Sequence, residues 1–182
     1  MCGIAGVIDF SKNAVDMDRI RRMTRTLERR GPDEEGYWSE EGAGIGHRRL
    51  SVIDIAGGKQ PMVSADERFV ISYNGEVYSF PEIRKDLESR GFRFRTSCDT
   101  EAVLELIARE WSAGVSKLWG QFALAVWDRK ERRLLLARDR LGQKPLFYCR
   151  KGGKFYFASE MKAILEGLDQ TPDIDETALY NA

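Results

Sequence analysis

With 182 residues, of which 42% are apolar and 32% charged, the chain has the length and composition of one globular domain with a sizeable core. Its 29 basic and 29 acidic residues leave a formal net charge of zero, so nothing in the balance marks a nucleic-acid or anionic-membrane binder. No apolar run approaches the ~20 residues of a membrane span and no secretory h-region follows the start, so no membrane partner is expected and the expected location is cytoplasmic.

The chain opens Met1-Cys2-Gly3-Ile4-Ala5-Gly6. Trimming of Met1 leaves a cysteine that carries a thiol and a free α-amine on one residue. An α-amine has an ordinary pKa of ~8 against ~10.4 for lysine, so near neutral pH it accepts a proton, directly or through water. Nucleophile and activating base then come from a single position. Cysteines at 2, 98 and 149 form an odd set without CxxC spacing, which speaks against a zinc site and against a disulfide framework. His47 is the single histidine, so any mechanism that needs a histidine base must use that residue.

In chain order, Ile4 to Phe10 reads as a buried strand with Cys2 at its leading end. Asp16 or Asp18 caps a helix with apolar positions Met17, Ile20, Met23 and Leu27, running to a stop near Gly31-Pro32. The clusters Arg19-Ile20-Arg21-Arg22 and Arg29-Arg30 read as solvated helix faces. Tyr37–Ser39 and Gly44–His47 suggest two strands, and Phe69–Tyr73 a strand that ends at Asn74-Gly75-Glu76. A helix is expected from Pro81 to Arg90, followed by the period-two alternation Phe92-Arg93-Phe94-Arg95 and a second helix through Glu110. Phe122–Asp128 with Leu134–Ala137, and Leu146–Cys149 with Phe155–Ala158, read as two hairpins, and Met161–Leu165 as a short helix. Antiparallel strands with helices segregated between them predict two sheets packed face to face and covered by helices.

Several segments recur in the same order in a known family. They are Cys2-Gly3-Ile4-Ala5-Gly6, Arg30-Gly31-Pro32-Asp33, His47-Arg48-Arg49-Leu50-Ser51-Val52-Ile53-Asp54, Gln60-Pro61-Met62, Tyr73-Asn74-Gly75-Glu76-Val77-Tyr78 and Asp99-Thr100-Glu101. Ala137-Arg138-Asp139-Arg140-Leu141-Gly142, Lys144-Pro145-Leu146 and Ala158-Ser159-Glu160 complete the set. Over about residues 2 to 165 the chain resembles the glutaminase domain of glutamine-hydrolysing asparagine synthetases, class II glutamine amidotransferases. The resemblance implies an α+β, four-layer αββα sandwich with the N-terminal-nucleophile hydrolase fold. It implies residues 1–167 as the amidotransferase domain, and 168–182 as a linker and the start of a helix leading to a synthetase domain. The expected order of events is hydrolysis of L-glutamine through a Cys2 thioester, with the ammonia passed to ATP-dependent asparagine synthesis from aspartate. No cofactor is expected in this domain, ATP and Mg belonging to the synthetase domain, and a homodimer is among the assemblies the family admits.

Residue by residue, the resemblance implies Cys2 as the nucleophile and the Asn74 side chain with the Gly75 N–H as the oxyanion hole. Arg49 would clamp the substrate α-carboxylate, a task suited to a planar two-pronged guanidinium, and Asp99 the α-ammonium. Glu76 lies in the glutamine-binding segment, and Leu50, Ser51, Val52 and Ile53 line the pocket largely through backbone. Each has a plainer reading when taken alone. Arg49 fits a surface ion pair, Asn74-Gly75 a turn dipeptide, Asp99 a helix N-cap, His47 a packed strand residue, and Cys98 and Cys149 inert core thiols. Ser79 stands where the family often has asparagine, and Gln143 where a small or β-branched residue is usual. No Ser-Gly-Gly-x-Asp-Ser nucleotide loop occurs, so the expectation is a domain from a longer chain. Alternatives carried forward are the glutaminase domain of another class II amidotransferase, and a non-catalytic docking module of the same fold.

Overall fold

In the computed structural model, residues 1–51, 57–170 and 172–173 are described. The calls on Val52, Ile53 and Asp54, and on a helix start at Glu176–Ala182, lie outside the described residues. Among the described residues, nine strands form two antiparallel sheets. The first has the order β2 (Glu34–Glu40), β3 (Ala43–Arg49), β1 (Gly3–Asp9), β9 (Lys154–Ala158), β8 (Phe147–Lys151). The second has the order β4 (Met62–Val63), β5 (Phe69–Val77), β6 (Gly120–Asp128), β7 (Arg133–Arg138).

Three separate apolar cores define four layers. One lies between α1 (Met17–Arg25), α5 (Met161–Gly167) and the first sheet, through Ala5, Val7, Ile20, Met23 and Ile164. A second joins the sheets face to face through Ile8, Ile45, Val70, Trp127 and Phe157. The third lies between the second sheet and α2 (Phe80–Ser89) with α3 (Asp99–Glu110), through Ile71, Tyr73, Leu87, Leu104 and Ile107. A one-turn helix, α4 (Ser112–Val115), follows α3. The expected αββα sandwich is therefore the observed one, and alternation along a strand explains it: Val70 and Ser72 face the other sheet while Ile71 and Tyr73 face the helices.

Local differences from the sequence reading have local causes. α1 is capped by Asp16, whose carboxylate accepts the Asp18 N–H at 2.9 Å, but it stops at Arg25 rather than near Gly31. The hydroxyls of Thr24 and Thr26 take the carbonyls of Ile20 and Met23, in competition with the helical pattern. β5 does not end at Asn74-Gly75-Glu76. It runs on to Val77, with Asn74 opposite Ala123 and Gly75 opposite Phe122. A Cβ at Gly75 would sit 2.3 Å from the Gln121 carbonyl oxygen, so glycine here serves close strand approach and not a turn. Phe92–Arg95 forms no strand; the N–H groups of Arg95 and Thr96 donate to the Glu101 carboxylate instead of to a ladder. The Phe92 and Phe94 rings pack edge to face at 4.7 Å, with Arg109 and Arg84 over them. Cys149 lies part-exposed on β8 rather than in the core, whereas Cys98 is buried.

His47 on β3 is fully buried and its Nδ1 meets Ser72 Oγ of β5 at 3.0 Å, a polar tie between the two sheets. Burial, and secondarily the charge of Arg49, hold its pKa down at about 3. An unfolded chain takes up this proton near pH 6.5, the folded one only near 3, so the contribution to stability is present above 6.5 and is lost as the pH falls toward 3. The acid-side loss attributable to His47 is on the order of a few kcal/mol. Denaturant unfolding from pH 7.5 to 4 should show a steeper fall for the parent chain than for His47→Gln; coincident curves would remove His47 from the account. Among the described residues, no helix is long and apolar enough to cross a membrane.

Candidate active site

At one end of the sandwich, where the chain enters β1, leaves β3 and enters α3, a cavity of about 190 Å³ is lined by Cys2, Arg49, Leu50, Asn74, Gly75, Glu76 and Asp99, together with Gln60, Tyr73, Thr100, Gln121 and Lys144. Both sheets and one helix N-terminus contribute. Ser51 is not among the lining residues; its N–H is directed to Asp33 Oδ2 at 2.7 Å.

Cys2 is held from three directions. Arg30 Nε donates to the Cys2 carbonyl at 3.0 Å, while Arg30 Nη1 pairs with Glu160 at 3.2 Å. One residue on, the Ile4 N–H donates to Ser159 Oγ at 3.0 Å and the Ile4 carbonyl accepts the Ser159 N–H at 2.9 Å. The Cys2 thiol itself points to the Leu50 carbonyl at 3.7 Å. Burial pushes this thiol above its ordinary pKa, partly offset by the Leu50 contact, the N-terminal ammonium and Arg49. It is thus protonated at neutral pH and needs a base to become a nucleophile. Arg30 is therefore no solvated-face residue: its guanidinium is mostly buried against the Cys2 backbone. Gly31 permits this, since a Cβ there would lie 2.3 Å from the Arg48 carbonyl carbon.

Arg49, at the end of β3, is only 4% exposed, and its Nη1 donates to Glu34 Oε2 at 2.8 Å. Glu34 and Arg49 are direct cross-strand partners, so sheet register sets the pair. The surface ion-pair reading is half right: the pair exists, but the guanidinium is buried between two cavities, the second lined by Glu34, Glu35, Tyr37, Lys59, Gln60 and Pro61.

Asn74 is 2% exposed, and among the described residues its Nδ2 has no hydrogen-bond partner. Its neighbour Tyr73 is pinned through its backbone by Gln60, which accepts the Tyr73 N–H at 2.6 Å and donates to the Tyr73 carbonyl at 3.0 Å. Asp99 is 5% exposed and is the first residue of α3, the N-cap position falling to Cys98. The Asp99 carboxylate instead faces β5 and accepts the Tyr73 hydroxyl at 2.8 Å and the Val77 N–H at 3.4 Å. Burial pushes its pKa up, against these hydrogen bonds, and the nearby Glu76 adds to the rise. Glu76 itself is exposed at the rim. At the mouth, Lys144 Nζ meets the Met1 sulfur at 3.5 Å.

The arrangement sets a thiol, a buried amide donor, a buried cation and a buried anion around one small cavity. Such a set suits a zwitterionic substrate whose acyl carbon is presented to the thiol. Sequence reasoning assigned no role to Arg30, Glu34, Gln60, Tyr73, Gln121, Lys144 or Glu160. Most of these stand in or beside the recurring segments quoted above, and that recurrence was the available signal.

Residues 1–182 match the family of glutamine amidotransferase domains. The chain is 46% identical to asparagine synthetase [glutamine-hydrolyzing] 3 of Bacillus subtilis (strain 168), over 98% of this chain and 30% of that protein. It is 34% identical to asparagine synthetase B [glutamine-hydrolyzing] of Escherichia coli (strain K12), over 91% of this chain and 30% of that one. It thus spans about a third of the length of these relatives. Among solved structures, the glutamine phosphoribosylpyrophosphate amidotransferase from B. subtilis, complexed with ADP and GMP, superposes with a TM-score of 0.75 at 22% identity, over 90% of this chain and 43% of that one, which is a likeness of fold. The match over its whole length and the sandwich it folds into place this chain in the glutamine amidotransferase domain family.

Proposed function

We propose that this chain hydrolyses the side-chain amide of glutamine through a Cys2 thioester and supplies the ammonia to a synthetase domain that makes asparagine from aspartate. The observation that carries the reading is the buried Asn74 amide nitrogen, without a partner among the described residues, in the same cavity as the Cys2 thiol. Once Met1 is removed, the Cys2 α-amine takes the thiol proton as Sγ attacks the amide carbon. The carbonyl oxygen, now an oxyanion, is received by Asn74 Nδ2 and the Gly75 N–H. The amine returns the proton to the leaving nitrogen, the C–N bond breaks and ammonia departs. Water, deprotonated by the same amine, then attacks the thioester and releases glutamate and the free thiol. Arg49 receives the substrate α-carboxylate and Asp99 the α-ammonium, while Leu50 lines the pocket beside them and Glu76 stands at the rim. The hydrolysis needs no cofactor; ATP and Mg would act in the synthetase domain.

A surface beside the site supports such a partner. Trp119 is 69% exposed and packs edge to face on Tyr78 at 5.9 Å, and Leu141 is 82% exposed in the loop that leads to Lys144. These are the side chains that a docked synthetase domain would cover. We place the enzyme in the cytoplasm.

The head-group assignment is tested with Arg49→Lys, which keeps the charge and loses the two-pronged geometry. Truncating one member of a buried charge pair typically costs ~2–5 kcal/mol, so kcat/KM for glutamine should fall by roughly 30-fold or more. An amide lacking the α-carboxylate, 4-aminobutanamide, should be hydrolysed equally by both proteins. An equal loss on both substrates takes the clamp away from Arg49.

A further inference from the structure

We propose that Tyr73 is a positioning residue for the amide hydrolysis: its hydroxyl fixes the Asp99 carboxylate where it receives the substrate α-ammonium, and so sets the requirement for an α-amino group. The inference rests on the head-group reading given above and adds to it the residue that orients one of its two charges.

The geometry comes from strand alternation. On β5, Ser72 and Asn74 face the other sheet, toward His47 and the cavity that holds Cys2. Tyr73 between them faces the helix layer, and its ring belongs to the apolar core beneath α3. There its hydroxyl meets Asp99 Oδ2 at 2.8 Å, in a contact between two buried residues. The tie spans the junction between sheet and helix: among the described residues, the other β5 donor to that carboxylate is the Val77 N–H at 3.4 Å. Tyr73 is itself fixed, since Gln60 grips both its N–H and its carbonyl. One dipeptide thus serves both halves of the site, Asn74 at the reacting carbonyl and Tyr73, one residue earlier, at the head-group anchor. The electrostatics point the same way. Burial and the Glu76 charge raise the Asp99 pKa, and the Tyr73 hydroxyl is the foremost of the contacts that lower it. Burial and the Asp99 charge hold the phenol well above its ordinary pKa, so it stays a donor throughout the working pH range.

The test compares glutamine with glutaramate, which has the same amide and carboxylate but no α-amine, in the protein with its N-terminal cysteine freed. Hydrogen bonds to charged groups are strong ones, and Tyr73→Phe should lower kcat/KM for glutamine about tenfold, mainly through KM. Glutaramate hydrolysis should stay within about twofold of the parent, as expected of an interaction made only through the ammonium. The preference for glutamine over glutaramate therefore narrows. Asp99→Asn, run alongside, should collapse that preference. Asp99→Glu keeps the charge, shifts it by one methylene from its present place against the Tyr73 hydroxyl, and should narrow the preference as well. Preference lost in Asp99→Asn but kept in Tyr73→Phe overturns the proposal and leaves the head-group reading standing. Equal losses of Tyr73→Phe on both substrates make Tyr73 a packing residue and also overturn it. If no Asp99 variant changes the preference, the head-group reading itself falls. Circular dichroism melts accompany each variant; should Tyr73→Phe fail to fold, Asp99→Glu decides, because a parent-like preference there means that placement of the carboxylate does not matter.

Discussion

Replacing Cys2 by alanine should reduce glutamine hydrolysis to the uncatalysed background while the protein keeps its fold and its affinity for glutamine. Among the described residues that line the cavity, Cys2 is the one whose thiol gains a base on its own residue once Met1 is removed. Burial keeps it protonated, so some group must accept its proton. His47 is unsuited to this: it is buried between the sheets, bonded to Ser72, held neutral, and does not line the cavity. Cys98 does line the cavity, but it is buried, and its sulfur lies 3.0 Å from the Thr96 hydroxyl. On the proposed route that group is the α-amine of Cys2, and it exists only when Met1 is gone, because with Met1 attached the same nitrogen is a peptide amide with no proton affinity to offer. Activity should therefore track the fraction of chains shown by intact mass to begin at Cys2. Glutamine should still protect the alanine variant against thermal unfolding, since Arg49 and Asp99 are untouched. Glutamate release by Cys2→Ala near the parent rate would falsify the thioester route. So would full activity in chains that retain Met1.

What could be read from the sequence divides along physical lines. The strands were legible because burial on one or both faces writes a short-range pattern, as in Gly3–Asp9 or Gly120–Asp128. The layers followed, since antiparallel runs with segregated helices have few ways to bury their faces. Pattern misled where a side chain replaced a ladder: Phe92–Arg95 alternates like a strand, yet the Glu101 carboxylate takes the backbone groups that a neighbouring strand would take. It misled again at Asn74-Gly75, where the dipeptide usual in turns sits inside a paired strand because Phe122 needs the space. In the site, residue types announced chemistry, but partnerships did not. Arg30 reaches the Cys2 carbonyl across 28 positions and Tyr73 reaches Asp99 across 26. Such contacts depend on how layers stack and leave no local periodicity. Arg30 accordingly reads as one more charge on a helix face, whereas the turn after α1 carries it to the Cys2 carbonyl.

Asn74→Ala should lower kcat by about 10²–10³ with little change in KM, the loss expected when one oxyanion donor is removed. The structural reason is that Nδ2 is buried and, among the described residues, unpartnered in the resting protein. A buried donor left unpaired costs about 1–3 kcal/mol of stability, a cost that makes sense where the partner appears only during reaction. The amide nitrogen is fixed in place by a strand that is paired along its length with β6 and gripped at Tyr73 by Gln60. It therefore need not reorganise when charge builds on the substrate oxygen. Two consequences separate this role from packing. First, truncation should leave the melting temperature unchanged or raise it, because the alanine variant no longer buries an unpaired donor. Second, Asn74→Asp, nearly identical in shape, should be at least as inactive as the alanine variant, because it turns a carboxylate oxygen toward the developing negative charge. Measured kcat, KM and melting curves for the two variants decide the matter. A rise in KM with kcat preserved would make Asn74 a ground-state contact and remove it from the oxyanion hole, and a large fall in melting temperature would make it a packing residue.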